Sequence, residues 1–190
     1  MQNTPMPESA PTQKTRKYRR QQKRKKEMWA WIRELAVALV IVFIIRTFLF
    51  SIISVKGSSM LETLQDGDRV YVSLLTARLG GYDRGDVVIC SYPGRTDLCV
   101  KRIIGLPGEE IEIIHGTVFV NGEQLEEDYL TYSASYSNPA YTLAEGEYFV
   151  LGDNRPISHD SHSADVGPVT ELKGKVRFIL WPPQHIGGVE

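Results

Sequence analysis

Cysteine is scarce in this chain: two residues in 190, too few to hold a small domain together by disulfides. Internal repeats are missing, which excludes solenoid and propeller architectures. After residue 53 no segment keeps a 3.6-residue apolar period, apart from a short turn over 73–78. A helical bundle is therefore excluded for most of the chain. Metal ligands are sparse as well. Among the four histidines, His159 and His162 flank Asp160 at a spacing that suits zinc, but no third ligand accompanies them. Neither a metal nor another cofactor is expected.

The net charge of −1 hides a strong asymmetry. Residues 1–34 hold ten Lys/Arg against three Asp/Glu, and the remainder holds twelve against twenty. Nine of the ten basic residues fall between Lys14 and Lys26. Such a run alone suits nucleic acid. Here it directly precedes an apolar stretch, where Lys and Arg mark the cytoplasmic side of a membrane, and no nucleic-acid partner is expected. The stretch Leu35–Ile53, LAVALVIVFIIRTFLFSII, has about the 20 residues a bilayer helix needs. Arg46, near its outer end, has a stem long enough to snorkel to the headgroups. Trp29 and Trp31 stand where an interfacial belt belongs. No small-x-small cleavage site follows before Lys56, which argues against a removed leader. The expected organisation is a disordered basic cytoplasmic tail over 1–28, a single-pass transmembrane anchor over 29–53 in contact with lipid, and an extracytoplasmic β-rich domain over 54–190.

From residue 53 onwards short β-type runs alternate with Gly, Asn, Asp and Pro. Strands are predicted at 69–72, 86–90, 98–104, 110–114, 117–120, 148–151 and 174–180. Val120-Asn121-Gly122-Glu123 is a hairpin signal, because Asn-Gly tolerates the positive φ of such turns. A turn centred on Gly94-Arg95 puts Cys90 and Cys99 opposite each other in a second hairpin. They read equally as a disulfide of an oxidising compartment and as two small buried residues. The segment from Tyr129 to Tyr148 holds tyrosines 129, 132, 136 and 141 among Ser, Asn and Pro. It reads as a long surface connection, or as a region that touches a partner.

Two segments carry reactive groups. Ser59 lies in Gly57-Ser58-Ser59-Met60-Leu61-Glu62-Thr63-Leu64, within ten residues of the end of the apolar stretch. Lys101 lies in Val100-Lys101-Arg102-Ile103-Ile104-Gly105-Leu106-Pro107-Gly108. Serine is a weak nucleophile until a base takes its proton, and lysine serves only when neutral. Burial among apolar groups lowers a lysine pKa from its ordinary value near 10.4. In a strand Cys99, Lys101 and Ile103 share one face, with Arg102 on the other. Taken singly, the lysine also reads as a surface residue at a strand end, and the Gly-Ser-Ser turn as a linker. A third polar segment, Gly152-Asp153-Asn154-Arg155-Pro156-Ile157-Ser158-His159-Asp160-Ser161-His162, suits an ordered, hydrogen-bonded loop.

Together these segments resemble the bacterial type I signal peptidases, membrane-anchored Ser-Lys proteases. Arg46-Thr47-Phe48 is similar to the family's exit from the membrane, and Val55 to Leu64 with Gly67-Asp68 to its nucleophile box. Arg84-Gly85-Asp86-Val87-Val88, Lys101 to Glu109, and Gly152-Asp153-Asn154-Arg155 through Asp160-Ser161 are similar to the later boxes, in the same order. The resemblance implies a mainly antiparallel β catalytic domain of the signal-peptidase type, preceded by one N-terminal transmembrane helix. It implies that Ser59 is the nucleophile, Lys101 the general base, and the Ser59 backbone N–H the oxyanion donor. It further implies that Ser158 hydrogen-bonds the lysine amine, Asp153 pairs with Arg102, and Asp160 braces the loop. Ile53, Val55, Val70, Ile89 and Val100 correspond to walls of pockets for small residues. The implied partners are the signal peptides of exported preproteins, cut after an A-x-A site, with the export machinery nearby.

This chain departs from that pattern at four positions. Glu62 stands where the family usually has proline, and Pro156 and His162 where it has aspartate and arginine. Gly57 stands where some members use a serine as second oxyanion donor. The arginine is the usual partner of Asp160; a protonated His162 is its substitute here. These departures motivate an alternative, a catalytically impaired relative serving as a membrane assembly or binding factor. A self-cleaving repressor also uses a Ser-Lys pair, but the chain has no N-terminal helix-turn-helix.

Overall fold

The computed structural model describes residues 13–189. Helix α1 (Gln13–Phe48) has no glycine or proline, and its first half is rich in Lys, Arg and Gln, which are good helix formers. Residues 1–12 of the expected tail lie outside the described residues. The side chains of Leu35, Val37, Leu39, Val40, Ile41, Val42 and Phe43 are all exposed, so the helix is apolar all round over 35–43. Arg46, with its neighbours 44–48, lies outside the described side chains.

The helix ends before the apolar run does. It ends at Phe48, and Phe50–Ser54 forms strand β1. About 14 of the apolar residues from Leu35 on are helical, or roughly 21 Å at 1.5 Å per residue, against a hydrocarbon core of about 30 Å. Extension towards the N-terminus brings in Arg33 and Glu34. Among the described residues no helix is long and apolar enough to cross a membrane.

The larger unit begins at Arg46. After β1 come β2 (Arg69–Ser73), the short helix α2 (Leu75–Leu79), β3 (Val87–Ser91), β4 (Leu98–Gly105), β5 (Glu110–Ile114) and β6 (Thr117–Val120). They are followed by β7 (Glu123–Gln124), β8 (Asn138–Thr142), β9 (Phe149–Leu151), β10 (Glu171–Trp181) and β11 (Gly187–Gly188). All paired strands are antiparallel. One sheet runs β1-β2-β10-β3-β4-β9, with β11 on β10; the other runs β7-β6-β5-β8. The Asn121-Gly122 turn has φ of 53° and 82°, the positive pair a two-residue hairpin requires.

The β3–β4 hairpin sets the register that matters most. Cys90 faces Cys99, Val88 faces Lys101 and Val87 faces Arg102. Opposed residues share a face, so Lys101 stands with Val88, Cys90, Cys99 and Ile103, next to Val150 and Val169. A second cluster, with Val55, Met60, Leu64, Val70, Val72 and Ile89, lies beneath the segment that carries Ser59.

Candidate active site

Residues 55–68 form a loop closed at its base: the Val55 N–H donates to the Asp68 carbonyl at 2.8 Å, and the Gly67 N–H to the Val55 carbonyl at 3.0 Å. Met60 and Leu64 are buried and hold the loop down. Ser59 is left half-buried above them. From the opposite side the Asn154 N–H donates to the Ser59 carbonyl at 3.0 Å, and Asn154 Nδ2 to the Ser58 carbonyl at 3.1 Å. Gly152 makes this approach possible. A Cβ there would stand 2.2 Å from Ser158 Oγ and 2.5 Å from the Ser59 carbonyl oxygen.

Lys101, only 3% exposed, places Nζ 2.7 Å from Ser59 Oγ. An ammonium donates across this distance, and a neutral amine accepts the serine proton. Burial pulls the Lys101 pKa below its ordinary value, against Asp160, the two cysteines and Asp153, which pull it up. Ser59 and Lys101, 42 residues apart in sequence, meet here as a hydroxyl and an amine poised for proton transfer.

Arg102, the next residue, is 2% exposed and fully engaged. Its Nε donates to Asp153 Oδ1 at 3.0 Å and its Nη2 to Asp153 Oδ2 at 2.7 Å. Its Nη1 donates to the Gly85 carbonyl at 2.8 Å, and its Cζ sits 3.9 Å from the centroid of the Tyr129 ring. Thr63 Oγ1 donates to Asp153 Oδ2 at 2.5 Å, so this pair ties the loop after Ser59 to the 152–160 loop.

Asp160 is fully buried. Its Oδ2 accepts from the Gly152 N–H at 2.8 Å and from the Ser158 hydroxyl. Its Oδ1 lies 2.6 Å from His162 Nδ1, and the His162 ring stacks on Tyr136 with centroids 4.0 Å apart. The implied bond from Ser158 to the lysine amine is not formed here: the Ser158 hydroxyl turns to the carboxylate two residues along, a stronger, charged acceptor. His162 is the basic side chain beside Asp160. Glu62 and Pro156 are exposed, and Glu62 accepts from the Tyr132 hydroxyl at 3.3 Å.

A cleft of about 320 Å3 opens beside Ser59, lined by Ile53, Val55, Met60, Ile89, Cys99 and Val100 among others. Four of the five anticipated wall residues are present. The fifth, Val70, is absent from the lining and lies fully buried in the cluster below. Its strand position points it into the core, a direction that alternation alone does not distinguish from the cleft. The Gly57 N–H is already used, donating to Asp66 Oδ1 at 2.8 Å, whereas the Ser59 N–H has no acceptor among the described residues.

Residues beyond the sequence-based set complete the surroundings. Tyr129 underlies Arg102 and donates to Glu127 Oε1 at 2.5 Å. Glu127 forms a buried pair with Arg155, whose Nε donates to the Gly152 carbonyl at 3.1 Å. Acidic and aromatic residues within a Ser/Asn-rich stretch are the only sequence signal for them. The link from β7 to β8 thus packs on the loop rather than running free over the surface.

The family model for signal peptidase, peptidase S26, matches residues 28–181. The chain is similar to Signal peptidase IB of Staphylococcus aureus, 36% identical over 176 residues, 83% of this chain and 92% of the relative. It is also similar to Signal peptidase I of Bacillus licheniformis, 32% identical over 175 residues, 86% and 94% of the two chains. A crystal structure of a signal peptidase I from Enterococcus faecalis V583 matches with a TM-score of 0.44 at 34% identity, covering 50% of this chain and 96% of that one.

Proposed function

The chain belongs to the signal peptidase family, peptidase S26, and from that membership we propose that it is a serine endopeptidase that removes N-terminal signal peptides from exported preproteins. Ser59 is the nucleophile and Lys101 the general base. The observation that carries this reading is the 2.7 Å approach of a buried amine to a half-buried hydroxyl at the edge of an apolar cleft.

The neutral Lys101 amine takes the Ser59 proton as Oγ attacks the scissile carbonyl. The tetrahedral oxyanion forms against the Ser59 N–H, a donor type worth on the order of 3 kcal/mol in such sites. The Lys101 ammonium then gives its proton to the departing amine, leaving an acyl ester on Ser59. A water activated by the same amine hydrolyses that ester. Arg102–Asp153, Thr63 and Asn154 position the loops; Ser158 and Asp160 hold the wall behind the lysine. Ile53, Val55, Ile89 and Val100 favour short apolar side chains before the cut, which supports cleavage after A-x-A-like sequences. The positions that depart from the family pattern leave Ser59 and Lys101 untouched, so no observation favours the impaired-relative alternative.

Helix α1 serves, in this reading, as the membrane anchor, with the basic segment cytoplasmic and the peptidase unit outside. The exposed apolar surface from Leu35 to Phe43 supports it. Because the helix stops at Phe48, a crossing of about 21 residues and roughly 31 Å would start at Met28 and carry Arg33, Glu34 and Arg46 within it. Protease added to permeable-walled cells is expected to digest the C-terminal unit; its protection, with digestion of the N-terminal tail, overturns this orientation.

The direct test is cleavage of a model preprotein in detergent. Ser59→Ala and Lys101→Ala are each expected to lose at least ~1,000-fold in kcat/KM, and the double variant to lose little more, because the two residues act as one unit. A Ser59→Ala chain that cleaves at the wild-type rate removes the serine mechanism.

A further inference from the structure

The mechanism uses neither cysteine, yet one of them stands in the cleft wall. Cys99 and Ser59 line the same cavity. Cys99 lies two residues before Lys101 on the same face of β4 and directly opposite Cys90 on β3. The two thiols are free, with their Sγ atoms 3.2 Å apart. Their access differs sharply: Cys90 is fully buried, whereas Cys99 is partly exposed. An incoming molecule therefore reaches one sulfur first, and the second waits behind it.

We propose that Cys99 is a covalent modification site in the wall of the cleft, open to small disulfides and other soft electrophiles, with Cys90 as the thiol that displaces the adduct. Site and order of reaction follow from access and register. The chemical poise agrees: a hydrogen bond from the Cys90 thiol, helped by Tyr92, pulls the Cys99 pKa below the ordinary thiol value against burial and Asp160. Cys90 is held well above the ordinary thiol value by the same contact and by burial. The thiolate is the nucleophile in exchange, so Cys99 attacks and Cys90 follows.

With an aryl disulfide the steps balance. Cys99 thiolate attacks one sulfur of the reagent, a Cys99–aryl mixed disulfide forms, and one aryl thiolate leaves. The Cys90 thiol then attacks Cys99 Sγ, closes a Cys90–Cys99 disulfide, and releases a second aryl thiolate and a proton. The reagent is the oxidant and is reduced to two thiolates. Opposed positions on neighbouring antiparallel strands lie within the usual Cα range for a disulfide.

The test uses the full chain in detergent with 5,5′-dithiobis(2-nitrobenzoate), following thiolate release and intact mass. Because the chain has only two cysteines, stoichiometry reads the mechanism directly. Wild type is expected to release two equivalents and keep no aryl group. Cys90→Ala should release one and retain one adduct. Cys99→Ala should release at least tenfold more slowly than wild type. Release from Cys99→Ala at the wild-type rate, or a folded Cys90→Ala chain that gains no adduct, overturns the assignment. Circular dichroism confirms that each variant is folded.

A final arm rests on the peptidase reading. The aryl adduct on Cys90→Ala is expected to cut preprotein cleavage at least tenfold, and reduction with dithiothreitol to restore it. An adduct with undiminished cleavage puts the thiol outside the substrate path and overturns its place in the cleft. An unlabelled wild-type chain that cleaves nothing counts against the peptidase reading alone, because the thiolate count is decided without activity.

Discussion

Lys101 and Arg102 are neighbours on β4, both cationic by nature and both almost wholly buried, at 3% and 2% exposure. They differ in what meets them. Arg102 has a bidentate carboxylate, a backbone carbonyl and an aromatic face. Lys101 has one hydroxyl. A buried charge is tolerable where paired and hydrogen-bonded, and costly where it is not. The same strand thus keeps one cation for structure and biases the other towards a neutral base, and strand alternation keeps their surroundings apart.

The comparison breaks most severely when the two cation types are exchanged. Lys101→Arg puts a guanidinium that stays protonated at the base position. On the proposed mechanism cleavage falls at least ~1,000-fold, measured as kcat/KM on a preprotein in detergent; an active variant ends the general-base assignment. Lys101→Met, equally inactive, separates the chemistry from the fold. The unfolded chain holds the lysine proton more tightly than the folded one, so wild-type stability rises with pH between the lowered folded value and 10.5. The methionine variant is therefore expected to unfold at higher urea than wild type near neutrality, with the advantage fading as pH climbs to 10.5.

Removing the partner on the other face should show the opposite behaviour. Asp153→Ala leaves Arg102 buried and uncompensated, a loss of about 3–5 kcal/mol by the usual cost of breaking a buried pair. Urea unfolding measures it. Arg102→Met combined with Asp153→Leu should recover much of that loss, and equal instability of the single and double variants would show that the charge pair is not the cause.

Gly152 sharpens the comparison from the loop side. Gly152→Ala forces a Cβ against Ser158 Oγ and the Ser59 carbonyl, so the loop must withdraw from Ser59. A displacement near 1 Å costs on the order of 100-fold in turnover. The expected result is a fall of that size in kcat, with the buried Arg102–Asp153 pair preserved and urea stability reduced by less than in Asp153→Ala.

What was legible in the sequence follows the range of the interactions. Alternation over 98–104 separated the faces of Lys101 and Arg102, and the Cys90–Cys99 register followed from one turn. Strand β1 was hidden, because Phe50–Ile53 continues the apolar run of α1 and periodicity cannot separate the two. Asn138–Thr142, with a proline and little alternation, gave no strand signal, and the pairing that makes it β8 comes from β5, over 20 residues earlier. The Ser158 hydroxyl depends on whether carboxylate or amine captures it, a matter of ångströms. Tyr129 and Tyr136 find Arg102 and His162 only after the loops fold together.

The finest distinction concerns the charges that oppose burial at Lys101. Asp160 is the foremost of the groups that pull its pKa up. Asp160→Asn keeps an oxygen for the Gly152 N–H and the Ser158 hydroxyl while removing the charge. With less negative potential nearby the ammonium is less favoured, so the Lys101 pKa falls further. On the proposed mechanism cleavage needs the neutral amine, and its acid limb follows that pKa. The limb in kcat/KM against pH is therefore expected to move to lower pH in Asp160→Asn, even if the maximum rate drops a few-fold. Ser158→Ala, which changes no charge, should lower turnover and leave the limb in place. A limb that moves to higher pH in Asp160→Asn, or one that shifts equally in Ser158→Ala, would mean that the titrating group is not the buried lysine.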